Sequence, residues 1–379
     1  MSVFRSRPAL RWLVPSAAAV VVIGGGAAAG TIAASADPSL PPRSAAQLLV
    51  DVQNAKVDGL SGTVVETADL GLPALSGLAG ATGGTDITKL VAGSNTARVW
   101  YAGQEKARVA LLGALGETDV IRNGSDVWMW QSRDNSATHY TIPADAHDKT
   151  PTALPSGLPS TPQEAADAAL AAIDPTTAVS TTGAASVAGR DAYELVLAPK
   201  DTGSLIGQVR LAIDAKQHIP LRVEVYAKGA NNPAVRVAFQ QISFTVPDAQ
   251  QFAFNPPPGA KVTTEKPSEV AKVPGKVGSA AEKAAEKAAK PDGAAADRQV
   301  VGKGWTSIFV AKLPTGADTA KGSEAGQVQG LIDSLPKVSG TWGSGHLLSG
   351  SLFSALITDD GRVLIGAVAP EKLYEAAGK

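Results

Sequence analysis

The chain has 379 residues, long enough for two domains, and its 44% hydrophobic and 18% charged content is ordinary for a globular protein. A formal net charge of −1 argues against a nucleic-acid binder, which carries a clear basic excess. There is no cysteine, which excludes disulfides, zinc–thiolate sites, a thiol nucleophile and the acylated cysteine of a bacterial lipoprotein.

At the N-terminus, Arg5, Arg7 and Arg11 precede a charge-free run from Trp12 to Ala36. A basic region followed by an apolar stretch is the pattern of an export signal, and Ala34-Ser35-Ala36 offers a small-x-small cleavage site. The same run as a helix of about 22 residues spans about 33 Å, enough for a bilayer. Residues 1–36 therefore read as a signal peptide or as an N-terminal membrane anchor. Both readings place the rest of the chain outside the cytoplasm, because the arginines hold the N-terminus inside.

Ser44 to Asp58 reads as a helix, with Leu48, Leu49, Val52 and Val57 on one stripe and Gly59 closing it. From Gly62 the period changes to two, and "GTVVET" is a first strand. The Leu/Gly-rich stretch Leu70–Gly93 that follows is too apolar for an ordinary surface loop. Short strands then come quickly: "ARVWYA", "KARVALL", "ETDVIRN", "DVWMWQ" and "THYTIP". Asn123-Gly124 signals a hairpin, since both central positions of a type I′ turn need positive φ. In "DVWMWQ", Trp128 and Trp130 fall on one face of a strand and Met129 on the other. The indole face is either closed core or the lining of a space that a ligand fills.

A Pro/Ser/Thr loop over 149–162 leads to a helix opened by Thr161-Pro162-Gln163-Glu164 and running to Ile173. Clean alternation follows. Leu205, Val209, Leu211 and Ile213 oppose Gln208, Arg210 and Asp214, while Leu221, Val223 and Val225 oppose Arg222, Glu224, Tyr226 and Lys228. Val235, Val237 and Phe239 oppose Arg236 and Gln240. Such strands belong to an antiparallel sheet covered on one side only, here a strongly bent one closed by two helices. Residues 263–298 are a Lys/Glu/Ala/Pro-rich linker. The tail, 299–379, reads as a small α+β unit with a strand in "GWTSIFVAKL", a helix near Gln327–Leu335 and a hairpin around Asp360-Gly361. A tail this short and glycine-rich buries only a modest core, so docking against the main sheet is expected.

No catalytic constellation emerges. His139, His147, His218 and His346 have no partner at metal-ligand spacing. Ser334-Leu-Pro-Lys337 matches a Ser-x-x-Lys spacing, but Pro336 disrupts the turn that would return the lysine to the serine, and the companion motifs are missing. The chain is read as a non-enzyme that needs no cofactor.

Three passages resemble the LolA-like superfamily of extracytoplasmic lipid- and lipoprotein-binding proteins, which includes the lipoprotein carrier and the RseB-type sensor. They are "GSDVWMWQSRDNSATHYTIP", "AIDAKQHIPLRVEVYAKGANNPAVRVAFQQISF" and "VPDAQQFAFNPPPGAKV", and the match covers 40–262. The resemblance implies an α+β fold: a strongly curved antiparallel half-barrel covered by helices, here followed by the linker and the C-terminal unit. It also implies a hydrophobic cavity for acyl chains. Candidate lining residues are Trp100, Trp128, Trp130, Leu211, Val223, Val237 and Phe239. The partner expected first is a lipid or acylated lipoprotein, with the membrane reached through the N-terminal segment. The alternative is an envelope sensor that binds an anti-sigma factor or another membrane-protein partner.

Overall fold

The computed structural model describes residues 40–72, 92–113, 116–142, 175–265, 298–312, 330 and 332–378. Segment 1–36, most of 70–93, the loop 149–162, the helix expected up to Ile173 and most of the linker lie outside these residues.

The first helix, α1 (Ala45–Asn54), starts where the sequence places it. Ser44 caps it in a reciprocal box, its Oγ accepting from Gln47 N at 3.2 Å while its own N–H donates to Gln47 Oε1 at 3.0 Å. The helix ends at Asn54, short of the expected Gly59, so Val57 lies outside the stripe. The chain must leave the helix early to enter the sheet beside Val246. A Cβ at Gly59 would stand 2.6 Å from Val246 Cα.

Among the described residues, twelve strands form one open, curved sheet. In chain order they are β1 (Leu60–Asp69), β2 (Ala92–Tyr101), β3 (Lys106–Gly113), β4 (Gly116–Asn123), β5 (Asp126–Gln131), β6 (Ser136–Thr141), β7 (Thr177–Val187), β8 (Arg190–Pro199), β9 (Ile206–Asp214), β10 (Pro220–Ala227), β11 (Pro233–Ser243) and β12 (Lys261–Glu265). The spatial order is β12-β6-β5-β4-β3-β2-β1-β11-β10-β9-β8-β7. Pairing is antiparallel except between β12 and β6. Helix α1 packs Leu48 onto Tyr193, Leu195 and Ile213, and so defines a helix side of the sheet. Among the described residues this helix covers β7, β8 and β9.

Two turns differ from expectation. Asn123 pairs with Asp126, so the loop is Gly124-Ser125, one residue later than Asn-Gly. Only Gly124 has positive φ, at 66°, the II′ pattern rather than I′. The β7–β8 hairpin is not apparent in the sequence because its turn is Ala188-Gly189, with φ of 53° and 72°. Alanine seldom takes that conformation. Strand β8 is also buried on both faces, which erases the alternation a reader looks for.

A second sheet has six strands in the order β13-β14-β18-β17-β16-β15. They are β13 (Arg298–Val301), β14 (Ile308–Lys312), β15 (Lys337–Gly340), β16 (Gly343–Ser349), β17 (Ser354–Thr358) and β18 (Arg362–Gly366). The expected hairpin forms between β17 and β18, with Gly361 at φ 86°. Helix α2 (Pro370–Ala377), absent from the sequence reading, buries Leu373, Ala376 and Ala377 against Ile308, Leu356 and Leu364. The unit that carries the second sheet touches the first at several places. Leu205 N donates to Ala367 O at 2.8 Å, and Ser351 N donates to Leu70 O at 2.8 Å. Gly304 lies so close to Thr176 that a Cβ would sit 2.0 Å from its Oγ1. Among the described residues no helix is long and apolar enough to cross a membrane.

Candidate functional site: the helix side of the large sheet

Cross-strand partners share a face of the sheet, so the registers can be followed from strand to strand. One row runs from Leu195 on β8 to Leu211 on β9, Val223 on β10, Val237 on β11, Glu66 on β1 and Asn95 on β2. Leu195 is in the cluster beneath α1, which places the whole row on the helix side. The neighbouring row reads Leu197, Val209, Val225, Val235 and Ala68. On the other half of the sheet, Val99, Val109, Val120 and Met129 form a further apolar row on the same side. That row is only partly covered, and Val120 remains 37% exposed.

The tryptophans stand on the opposite side. Trp100 is paired with Ser61 and Arg108, and Arg108 with Ile121, which in turn faces Trp128. Trp130 is paired with Asp119. Over this side lies the short 3-10 helix Ala249–Phe252, held where Arg108 Nη1 donates to Gln251 O at 3.4 Å. Phe254 follows it, with its ring 5.3 Å from Trp128 and 6.3 Å from Trp130. Trp128 also stacks on His139 at 4.4 Å, and the Arg108 guanidinium lies 5.2 Å from the Trp100 ring. Arg108 forms an ion pair with Asp119, which is 1% exposed. Further along, Arg222 bridges Glu194 at 2.8 Å and Glu224 at 3.4 Å, and Glu224 reaches Arg236 at 3.4 Å. Aromatic residues and ion pairs share this side, the charges pairing with one another.

The seven residues grouped by the sequence therefore do not line one surface. Leu211, Val223 and Val237 lie on the helix side, whereas Trp100, Trp128 and Trp130 lie on the opposite side, Trp128 and Trp130 against Phe254. Phe239 pairs with Val64 beside a bulge in β11 and packs at the cluster of Val187, Ala192, Ala212 and Leu221. Parity explains the division. Alternation tells which residues share a face, but not which face the helix takes. Val99, Val109, Val120 and Met129, which alternation alone does not assign to a side, are apolar residues on the helix side of β2, β3, β4 and β5.

Glu66 is also absent from the sequence reading. It is 2% exposed, and its carboxylate accepts from Asn95 Nδ2 at 2.6 Å. Burial pushes its pKa up to about 7, against the smaller downward pull of the Asn95 hydrogen bond. On the other side, burial and the neighbouring Asp119 raise the pKa of Glu117.

A long, open, mostly antiparallel curved sheet with a helix packed on one side is the arrangement that the resemblance to the LolA-like superfamily implies. Residues 88–258 match the family model of the MucB/RseB N-terminal domain, which supports a LolA-like fold of the RseB type over that segment. Solved structures resemble the chain at low identity. A MucA/MucB complex from Pseudomonas aeruginosa is 13% identical, over 88% of this chain and 96% of that one, with a TM-score of 0.42. A LolA superfamily protein from Nitrosomonas europaea is 11% identical over 56% and 99%, with a TM-score of 0.22. An uncharacterized conserved protein from Thermus thermophilus is 14% identical over 58% and 98%, with a TM-score of 0.32. No curated protein matches the chain.

Proposed function

We propose that this is an extracytoplasmic, membrane-associated, non-catalytic protein that holds the acyl chain of a lipid or acylated lipoprotein against the helix side of its large sheet. The observation that carries the reading is the partly covered apolar row Val99, Val109, Val120 and Met129, in a domain of the RseB type. An apolar ladder half open to water is a liability unless something covers it. Burying one CH₂ is worth about 0.8 kcal/mol, so a 14-carbon chain gains about 11 kcal/mol gross. Ordering and desolvation take back a large share. Protein purified from its own host, extracted and analysed by mass spectrometry, tests the reading: stoichiometric lipid supports it, and a lipid-free protein that also takes up no added acyl probe rejects it.

A second reading, an envelope sensor for a membrane-protein partner, is favoured by the second sheet docked on the first through Leu205–Ala367 and Ser351–Leu70. Crosslinking in the host envelope separates the two, since a sensor gives one partner band in the absence of bound lipid.

A further inference from the structure

The described contacts that join the second sheet to the large one lie at one end of it. They involve Gly304, Trp305 and Thr306 ahead of β14, Ala367 and Val368 beyond β18, and Ser351 between β16 and β17. Helix α2 covers one face of the second sheet, over Ile308, Leu356 and Leu364. The alternate residues make the opposite face, where Val300, Phe309, Ile365, Ala355 and Leu348 follow one another across the strands. The next row brings Ala311, Val363 and Ile357. A sheet face turned to water normally alternates to polar residues, and this one does not. Val300 is 60% exposed and Ile365 43%. None of the contacts with the large sheet draws on a residue of this face. Residues 313–329, which lead out of β14, offer only Leu313 and Val328 as large aliphatic side chains to cover it.

The hairpin at the exposed end of this face is basic. Its sequence, "RQVVGKGWTSIFVAK" from Arg298 to Lys312, carries Arg298, Lys303 and Lys312 and no acid. Lys303 and Lys312 are exposed. The acids of the β17–β18 turn are already countered, Asp359 by Lys337 at 3.8 Å and Asp360 by Arg362 at 2.9 Å. We propose that the face centred on Val300 and Ile365, flanked by the β13–β14 hairpin, docks on an anionic lipid surface. Exposed aliphatic side chains enter the headgroup boundary while lysines and an arginine beside them meet lipid phosphates. A second copy of the chain on the same face would instead bring two basic hairpins into one interface, which like-charge repulsion opposes. The surface belongs to the other sheet and does not depend on the acyl-binding reading above.

The test uses the full chain, which has no cysteine, so one introduced thiol carries one label. Val300→Cys and, on α2, Lys372→Cys (a side chain 52% exposed) are each labelled with nitrobenzoxadiazole, whose emission rises in an apolar medium. Each protein is mixed with vesicles of phosphatidylcholine alone or of phosphatidylcholine with an equal part of phosphatidylglycerol, and co-sedimentation confirms that it is on the vesicles. On the anionic vesicles the label at 300 is expected to brighten by about two-fold or more and shift to the blue, while the label at 372 stays unchanged. Lys303→Glu with Lys312→Glu in the Val300→Cys background should abolish the response. An unchanged label at 300 on vesicle-bound protein overturns the proposal, as does an equal response at 300 and 372 or on the two kinds of vesicle. Brightening at 300 that grows with protein concentration in the absence of vesicles also overturns it, and assigns the face to a second copy. If the charge-reversed variant does not fold, the comparison of labels and vesicles still decides. None of these outcomes bears on acyl binding by the large sheet.

Discussion

Trp305 Nε1 donates to Thr177 Oγ1 at 2.7 Å, a side-chain hydrogen bond that ties the second sheet to the edge strand β7 of the first. It adjoins the close approach of Gly304 to Thr176 and the hydrogen bond from Leu205 to Ala367. Trp305→Phe keeps the ring and removes the donor. The expected cost is about 1 kcal/mol. The Leu205 amide should then exchange faster with solvent while the amides of β17 and β18 keep their protection. Hydrogen exchange with mass spectrometry reads this directly, and unchanged exchange at Leu205 would mean that the two sheets are held elsewhere.

On the outer side of the large sheet, Asp119 is 1% exposed and depends on Arg108 for its counter-charge. Arg108→Ala leaves that carboxylate buried and unpaired, so the expected loss is about 3 kcal/mol or more. Arg108→Ala with Asp119→Ala together should lose less than Arg108→Ala alone, because the second change removes the stranded charge. Urea denaturation of the three variants forms the comparison. The single change also frees the Gln251 carbonyl, so the Ala249–Phe252 segment should become sensitive to protease.

Much of the sheet is legible in the sequence. The alternation of Arg222 and Glu224 with Val223 and Val225 is realised in the register with β9 and β11. Where the reading stops, the cause is physical. β8 carries no alternation because both of its faces are covered, and the turn at Ala188 uses a residue that rarely signals one. Glu66 shows the converse. It lies in the same parity as Val64 and Ala68, and a glutamate in the apolar register is a visible sign of a buried acid. The side on which the three indoles stand is not legible, because nothing local states where α1 will pack.

The β4–β5 turn separates the two hairpin readings. Gly124 alone has positive φ in the loop, at 66°, and nothing lies within 4 Å of where its Cβ would be. Gly124→Ala is therefore strained by its backbone and not by crowding, with an expected loss of about 1 kcal/mol. Asn123→Ala should cost much less, since Asn123 sits in an ordinary strand conformation opposite Asp126. Under a type I′ turn on Asn-Gly the two changes would cost comparable amounts. Thermal unfolding of the pair decides.

Glu66 gives stability a direction in pH. Its pKa is raised from 4.5 to about 7 in the fold, so between these values the folded chain holds a proton that the unfolded chain has released. Its contribution to stability is fully present below about pH 4.5 and falls as pH rises through about 7, by about 3 kcal/mol at most. Glu66→Gln should flatten that slope and make the protein more stable than wild type above neutral pH. Chemical denaturation at a series of pH values measures it. A wild-type curve that is flat between these limits would mean that the carboxylate is satisfied in its ionised form.

The proposed acyl binding is expected to distinguish the two sides of the sheet. Val120 is 37% exposed on the helix side, in a row with Val109 and Met129, so Val120→Asp places a charge on the proposed ligand surface with little loss of buried core. Desolvating that carboxylate against an acyl chain should lower affinity for a fluorescent fatty-acyl probe by about ten-fold or more. Trp130→Phe, on the side of Asp119, keeps an aromatic ring against Phe254 and should leave the affinity within about two-fold. Reversal of that order, with the tryptophan change abolishing binding and the valine change harmless, would move the site beneath the Phe252–Phe254 segment. The parity of β4 and β5 makes the outcomes exclusive, because no single ligand can touch Val120 and Trp130 without passing through the sheet.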